Sequence, residues 1–425
     1  MVSSVIPESI SIIGASVGGL TLGIVLKKYG IQPRIFESRE PGYDFGGAVS
    51  LTPSTLRIID SIGAYSRIKP QGFSFEAMTF LTDPERETTG KFYFGHKDVY
   101  GYDGLRITRK ALLHELTEMA NDAGVEINYG KKFTKIVNET TDGVIFEFAD
   151  GSQEKAQMLI GSDGIHSKVR SCIFPDIHPH YSGFIGLTYC FPRDNVRIDE
   201  GFPLPVSLRG SQGDGAIMLQ PQTEGGKEIF VGRQFKFEEK DRSGWDSLLQ
   251  EKKTLIATLQ RDSAAWTPLI QNVLAQASTP EAHFLNVWPF YTVPKMERWH
   301  SSAGKVLIIG DAAHAIPPSA GQGANQAFED GYSLAIFLAS LKNVRVSLLD
   351  ALKTWEAYRM KRVDDVLKIT NRLLTIRMTE EELASVPKHM QWELDGSEAG
   401  KSQLGWLYLA DIDRDIKSLV ESLHM

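Results

Sequence analysis

The segment from Ser9 to Glu37, SISIIGASVGGLTLGIVLKKYGIQPRIFE, opens on a short apolar run, Ser9 to Ile13, and turns at once through Gly14-Ala15-Ser16-Val17-Gly18-Gly19. An apolar helical pattern follows through Leu20, Ile24 and Leu26 to Lys28, and Pro33-Arg34-Ile35-Phe36-Glu37 makes a second short strand. The stretch therefore reads as a strand, tight glycine turn, helix, strand unit at the start of the chain.

A dinucleotide fingerprint at such a turn is G-x-G-x-x-G, and here Ser16 stands where the second glycine belongs. That glycine lets backbone approach a pyrophosphate; a small hydroxyl residue can still fit there and donate to phosphate. Glu37, ending the second strand, is placed to accept hydrogen bonds from an adenosine ribose. The bland alternative is that Gly14, Gly18 and Gly19 only shape a strand–helix turn and Glu37 is a solvated strand end.

The rest of the composition narrows the class. A chain of 425 residues exceeds one ordinary domain of about 100–200 residues and predicts two or three coupled units. With 42% hydrophobic and 23% charged residues and a net charge of -7, it is an ordinary globular chain without the Lys/Arg blocks that track nucleic-acid phosphates. Cys172 and Cys190, with no CxxC or Cys/His spacing, read as buried small hydrophobes in a reducing compartment, the cytoplasm by default, and no metal site is expected. The apolar run from Ile10 to Leu26 lacks the basic region and cleavage site of a signal peptide, and nothing elsewhere predicts an integral membrane segment.

Further along, residues 73–102 are irregular and aromatic-rich, and Thr108 to Asp122 returns to a helical period. Val144 to Phe148 is a strand before the Asp150-Gly151 turn, and Met158-Leu159-Ile160 is another before Gly161. Alternation such as Glu228-Ile229-Phe230-Val231-Gly232-Arg233 within about 178–284 predicts an antiparallel sheet, with helices from Trp245 to Leu274 laid against it. From Leu348 onward the tail is helical, with residues 400–425 forming a docked last helix.

Two more motifs follow apolar strands. One is Gly161-Ser162-Asp163-Gly164-Ile165-His166-Ser167-Lys168-Val169-Arg170, a backbone turn suited to a phosphate-rich ligand, or else a plain Asp-Gly turn. The other is GDAAHAIPPSAGQGANQAFED, Gly310 to Asp330, fed by Lys305-Val306-Leu307-Ile308-Ile309 and followed by a helix from about Gln322 to Leu341. In it Asp311 can bond a sugar-alcohol hydroxyl, and the helix start after Gly321 offers amide donors and a positive dipole end.

In this order the three motifs resemble the class A flavoprotein monooxygenases, relatives of hydroxybenzoate and salicylate hydroxylases, from Ile10 to about Arg362 and most nearly fungal members acting on secondary metabolites. The resemblance implies an α/β fold: a Rossmann-like FAD-binding domain of the hydroxybenzoate hydroxylase type (1–75, 101–177 and 284–341), an inserted antiparallel-sheet substrate domain (76–100 and 178–283) and a C-terminal helical region (342–425). It implies one FAD held by Gly14, Gly19, Glu37, Arg109, Asp311 and Ala324, with Gly47 and Ala48 beside the ribityl chain or ring, and with Ser16, Asp163, Gly321 and Gly323 completing the cofactor set. The Asp163-Gly164 pair matches a segment tied to both FAD and NAD(P)H. Arg106 and Arg109 sit at the start of a helix, where the family places an arginine against the flavin, and Arg109 is the one assigned to it. His314 takes a structural role.

The implied activity consumes NADPH or NADH and inserts one atom of O2 into an aromatic or polycyclic small molecule, as in phenol hydroxylation. Arg209 and Arg233, which punctuate apolar strands, with Tyr189 and Tyr291 behind them, are candidates to favour a phenolate; the plainer reading of each is a strand-edge charge or satisfied core phenol. Phe184, Phe230 and Phe290 suggest an apolar cavity for a ring. Competing readings are an epoxidase or Baeyer–Villiger oxygenase on a prenylated natural product, and a non-catalytic flavin-binding sensor.

Overall fold

The computed structural model of the chain describes residues 6–43, 46–210, 215–378, 380–393 and 395–424. Its first apolar run is the strand Ser9–Ile13, at the centre of a five-stranded parallel sheet ordered Val306–Ile308, Met158–Gly161, Ser9–Ile13, Gln32–Phe36, Glu126–Asn128. The central strands are covered on both faces, which is why they read as unbroken apolar runs rather than alternating ones. Their common direction sends the loops after Ile13, Phe36, Gly161 and Ile308 out of one edge. The chain leaves Ser9–Ile13 toward Gln32–Phe36 on one side and later returns as Met158–Gly161 on the other, and ligands of open parallel sheets bind in the crevice at such a reversal.

Helices Val17–Lys28 and Gly323–Ser340 pack against each other with almost no gap: a Cβ on Gly331 would come within 2.4 Å of the Gly18 carbonyl oxygen. A small sheet of Ala48–Leu51, Gly104–Thr108 and Phe73–Phe75 lies beside this layer and leads into helix Arg109–Asp122, which Thr108 caps by accepting from the Ala111 amide. Arg106 is thus on a strand, not at the helix start where the spacing had put it, because the β-pairing with Ser50 and Phe73 extends to Thr108.

The larger sheet has seven strands ordered His283–Thr292, His180–Pro192, Glu228–Lys236, Ala216–Gln222, Val206–Gly210, Ala77–Asp83, Thr88–Tyr93. It is antiparallel except where Val206–Gly210 runs parallel to Ala77–Asp83, and it continues to Thr292, past the boundary expected at 283. One face buries Ile185, Leu187, Ile217, Leu219, Ile229 and Val231 against helices Arg242–Gln250, Lys252–Gln260 and Pro268–Ala275, making a second core. Period-two alternation turns Thr188, Cys190, Met218, Gln220 and Phe230 to the opposite face, toward the small sheet.

The motif-less tail belongs to the main core. Helix Leu348–Leu374 sends Arg359 and Arg362 inward, and Lys401–Tyr408 and Ile412–Ser422, two helices instead of the single one expected, bury Leu404, Leu407, Ile412 and Ile416. The Tyr408 hydroxyl donates to the Tyr93 carbonyl at 2.8 Å, and Tyr332 donates to Asp413 at 3.0 Å. Cys190 is buried as expected, but Cys172 is exposed, since the inner side of its short helix Lys168–Ile173 is taken by Val169 and Arg170. Among the described residues no helix is long and apolar enough to cross a membrane.

Candidate cofactor and active site

The crevice begins at the glycine turn. Gly14 has φ +104°, and a Cβ there would stand 2.4 Å from the Ser162 carbonyl oxygen, so only glycine lets the loops of two neighbouring strands pass this closely. Ser16 caps helix Val17–Lys28: its Oγ accepts from the Gly19 amide at 3.2 Å and shares a 2.6 Å hydrogen bond with Ser162 Oγ. With both acceptor lone pairs used when Ser162 donates, the Ser16 O–H stays available to a phosphate beside the first-turn amides and the positive helix end. Glu37 closes the turn from the next strand, its Oε2 accepting from the Ala15 amide and its Oε1 from the Arg39 amide, both at 2.9 Å. Carboxylate oxygens so held keep lone pairs for ribose hydroxyls.

Asp163 braces the start of the next short helix, which Ser167 caps. It accepts from Ser167 Oγ at 2.6 Å and from the Lys168 and Val169 amides at 2.8 and 3.2 Å; burial nonetheless pushes its carboxyl above the usual range. Arg170, buried behind it, donates to the carbonyls of Ala312 (2.9 Å) and Ile165 (2.5 Å), so the second motif is tied directly to the third.

Asp311 and Arg109 are each reached by solvent yet closely ringed by protein, and each feels the other's charge. Burial raises the Asp311 carboxyl against the pull of His314 and Arg109, and burial lowers the Arg109 guanidinium against the pull of Asp311. The Arg109 amide donates to the Gly47 carbonyl at 3.1 Å, and its guanidinium lies 5.6 Å from the Trp288 ring centroid. Asn325 fastens the end of strand Ala48–Leu51 to the helix start: its Nδ2 donates to the carbonyls of Ser50 (3.0 Å) and Gly321 (2.7 Å), and its Oδ1 accepts from the Thr52 amide (3.0 Å). Gly321, in the left-handed region at φ +62°, turns the chain into that helix, and the Cβ position of Gly323 lies 3.8 Å from Asp311 Oδ1, with Ala324 next in the same turn.

Behind this rim lies a charge network that sequence reasoning missed. Asp330 Oδ2 accepts from the Gly310 amide (2.8 Å) and pairs with His314 Nε2 (2.6 Å), while Arg359 Nε reaches Asp330 Oδ1 and its Nη1 reaches Glu329 Oε2, both at 2.8 Å. Arg362 Nη2 adds a 2.8 Å bond to Glu329 Oε1. Asp330, Glu329 and Arg359 have no exposed surface. Desolvation would raise the Asp330 carboxyl, but the His314 and Arg359 charges overcome it and hold the group at about 2. The available signal was Glu329-Asp330 inside an apolar helix together with Arg359 and Arg362 on a second helix.

The three side chains nominated for catalysis separate. Arg209 is on the cleft-side face of the large sheet, as its strand register with Ala216 beside Met218 requires, and donates to the Met378 carbonyl. Arg233 pairs in register with Leu187 and Ile217 on the helix-covered face, where Nη1 donates to the carbonyls of Leu259 (2.7 Å) and Arg261 (2.9 Å). Tyr291 accepts from Trp245 Nε1 at 3.2 Å and stacks edge-on to His166 at 5.2 Å, at the outer rim beside the Asp-Gly loop. Tyr189 also belongs to the helix-covered core, donating to the Val273 carbonyl at 2.7 Å. Among the described residues the fold gathers one Cys/His/Glu group that linear spacing hides: Cys190, Glu228 and His283, whose ligand-type atoms lie within 4.8 Å of one another.

The chemistry of the glycine turn, Glu37 and the Asp311/Arg109 pair fits the pyrophosphate, ribose and ribityl groups of FAD. A family described as an FAD binding domain matches residues 8–370. The chain is similar to 6-hydroxynicotinate 3-monooxygenase of Bordetella bronchiseptica, with 26% identity over 87% of this chain and 92% of the relative. It is likewise 26% identical to the FAD-dependent urate hydroxylase of Klebsiella pneumoniae, over 85% of this chain and 88% of the relative. A salicylate hydroxylase substrate complex shares the fold with a TM-score of 0.74 at 19% identity, covering 97% of this chain and 98% of that one. The chain therefore belongs to the FAD-binding-domain family and is a class A FAD-dependent monooxygenase.

Proposed function

We propose that this monooxygenase consumes NAD(P)H and hydroxylates an aromatic ring held between the large sheet and the FAD rim, residues 76–100 and 178–283 supplying most of the wall that shapes the substrate. The observation that carries this reading is the cleft-side face itself. Phe230, Thr188 and Trp288 are presented to the same side as Arg109, with Trp288 Nε1 fixed on Thr188 Oγ1 at 3.1 Å, a flat aromatic wall opposite the cofactor-binding groups. Bound FAD supplies the oxygen-inserting chemistry, in which NAD(P)H provides two electrons and one atom of O2 enters the ring while the other leaves as water. The protein orients the ring, excludes water and places charge.

Cations on the outer rim favour a dinucleotide co-substrate there. His166 is pushed down by burial and then by Arg170, Arg242 and Lys168, and Arg39 is lowered by burial with Arg242 adding to the effect. Nucleotide phosphates complement such a surface. Of the nominated side chains, Arg209 is the one on the sheet face that also carries Phe230, and its guanidinium is bonded to the Met378 carbonyl.

The test is aerobic turnover of the FAD-loaded protein with a panel of hydroxylated aromatic acids and phenols under 18O2. The expected result is ligand-stimulated NAD(P)H oxidation with one labelled oxygen in the product, and product NMR showing ring hydroxylation. NAD(P)H oxidation that yields only hydrogen peroxide with every compound would sink the proposal.

A further inference from the structure

Arg106 sits on strand Gly104–Thr108 between Leu105 and Ile107, which alternate into the core, so its side chain takes the opposite face. There its guanidinium lies 4.6 Å from the Phe230 ring centroid, at the seam between the small sheet and the cleft-side face of the large one. It is only 4% exposed. Its one hydrogen bond, Nη1 to Ser50 Oγ, is long at 3.3 Å, and Nε has no partner among the described residues. A buried charge without a counter-charge costs several kcal/mol, so a fold keeps one where a negative group completes it.

Among the described residues the nearby anions are already committed. Glu228 Oε1 pairs with His283 Nε2 at 2.6 Å, and its Oε2 accepts from Gln222 Nε2 at 2.5 Å. Burial pushes the Cys190 thiol up to about 12, so it is neutral at pH 7. Asp311 faces Arg109, and Glu329 and Asp330 are held by Arg359 and Arg362. Burial pulls the Arg106 guanidinium down to about 10, with Arg109 adding repulsion, which still leaves it charged at neutral pH.

With Nη1 turned to Ser50, the Nε–Nη2 edge is the side of the fork that matches a carboxylate bidentately. We infer that Arg106 is the anion-binding residue of the substrate cleft, and that the aromatic substrate carries a ring carboxylate that pairs with it. This rests on the hydroxylase reading above and names its substrate class.

The test titrates FAD-loaded wild type, Arg106→Met and Arg106→Lys with 4-hydroxybenzoate and a hydroxynaphthoate, each against its carboxamide, following the flavin absorbance change. In wild type at least one acid should bind about 10-fold or more tighter than its amide. Arg106→Met should lower acid affinity about 10- to 100-fold and leave the amide and the FAD content unchanged, and Arg106→Lys should recover part of the preference. The assignment is overturned by wild type binding acid and amide equally or binding neither, by a Met variant that keeps the acid preference, or by a Met variant that loses FAD while the Lys variant retains it. If acids bind through Arg106 yet no aromatic compound is oxygenated, the hydroxylase reading falls and this assignment stands.

Discussion

Asp311 and Arg109 carry unlike charges that act on each other while both remain reached by solvent, so each contributes most when a polar ligand joins them. Asp311→Asn or Arg109→Met removes a charge-assisted bond to that ligand, and FAD affinity should fall roughly 10- to 100-fold, read as flavin released on dilution. Unchanged affinity in both would remove the pair from the cofactor site. Asp330 makes a different prediction. Its carboxyl sits at about 2, below its ordinary 3.8, so the stability it contributes is complete above the ordinary value and is lost as pH falls through about 2. Asp330→Asn, which breaks a fully buried ion pair, should cost about 3–5 kcal/mol at neutral pH. The gap in thermal midpoint between variant and wild type should then close as pH drops from about 4 to 2. Residues in contiguous strings, such as Gly14, Asp163 and Asp311, could be nominated from the sequence because their setting is local. Arg359 and Glu329 were not, since their meaning lies in a partner on another helix. Arg106 was masked differently: the nearby helical period drew it into the helix start, and only strand pairing shows which way it faces.

Among elements, the contact between helices Val17–Lys28 and Gly323–Ser340 is set by missing side chains. A Cβ on Gly331 would meet the Gly18 carbonyl at 2.4 Å and the Leu22 amide at 3.1 Å, so Gly331→Ala should force the helices apart and cost about 1–3 kcal/mol. Because both helices begin at the cofactor crevice, calorimetry should show a lower thermal midpoint and titration a weaker FAD site. Arg233 belongs to this scale too. It donates to backbone carbonyls at the end of helix Lys252–Gln260, so Arg233→Met should lower the thermal midpoint while leaving ligand affinity within about twofold. A large loss of substrate binding with intact stability would return it to the cleft. The alternation of Glu228-Ile229-Phe230-Val231-Gly232-Arg233 already held this answer, since period two places Arg233 with Ile229 and Val231. The parallel pairing of Val206–Gly210 with Ala77–Asp83 had no comparable signal, because strand partners distant in sequence leave no local mark.

At the scale of the whole molecule, the parallel layer, the sheet and the helical tail were each legible from period and composition, but not how the tail docks. Leu404, Leu407, Ile412 and Ile416 join the main core, each contributing about 1.5–3 kcal/mol on burial. A chain ending before Lys401 should therefore be much less stable than the full chain and recover little FAD, measured by soluble yield and bound flavin. A shortened chain with the full thermal midpoint would show the tail to be dispensable.

The Arg359 clamp also sets an order of events during synthesis. Ser9–Ile13 and its glycine turn leave the ribosome first, but their neighbours Met158–Gly161 and Val306–Ile308 come much later, and the carboxylates beside Gly310 are neutralised only once Arg359 and Arg362 have emerged. The nascent chain must hold an unfinished nucleotide fold through most of translation. Stalled chains that end before Trp355 should fail to retain FAD, whereas chains released past the tail should take it up.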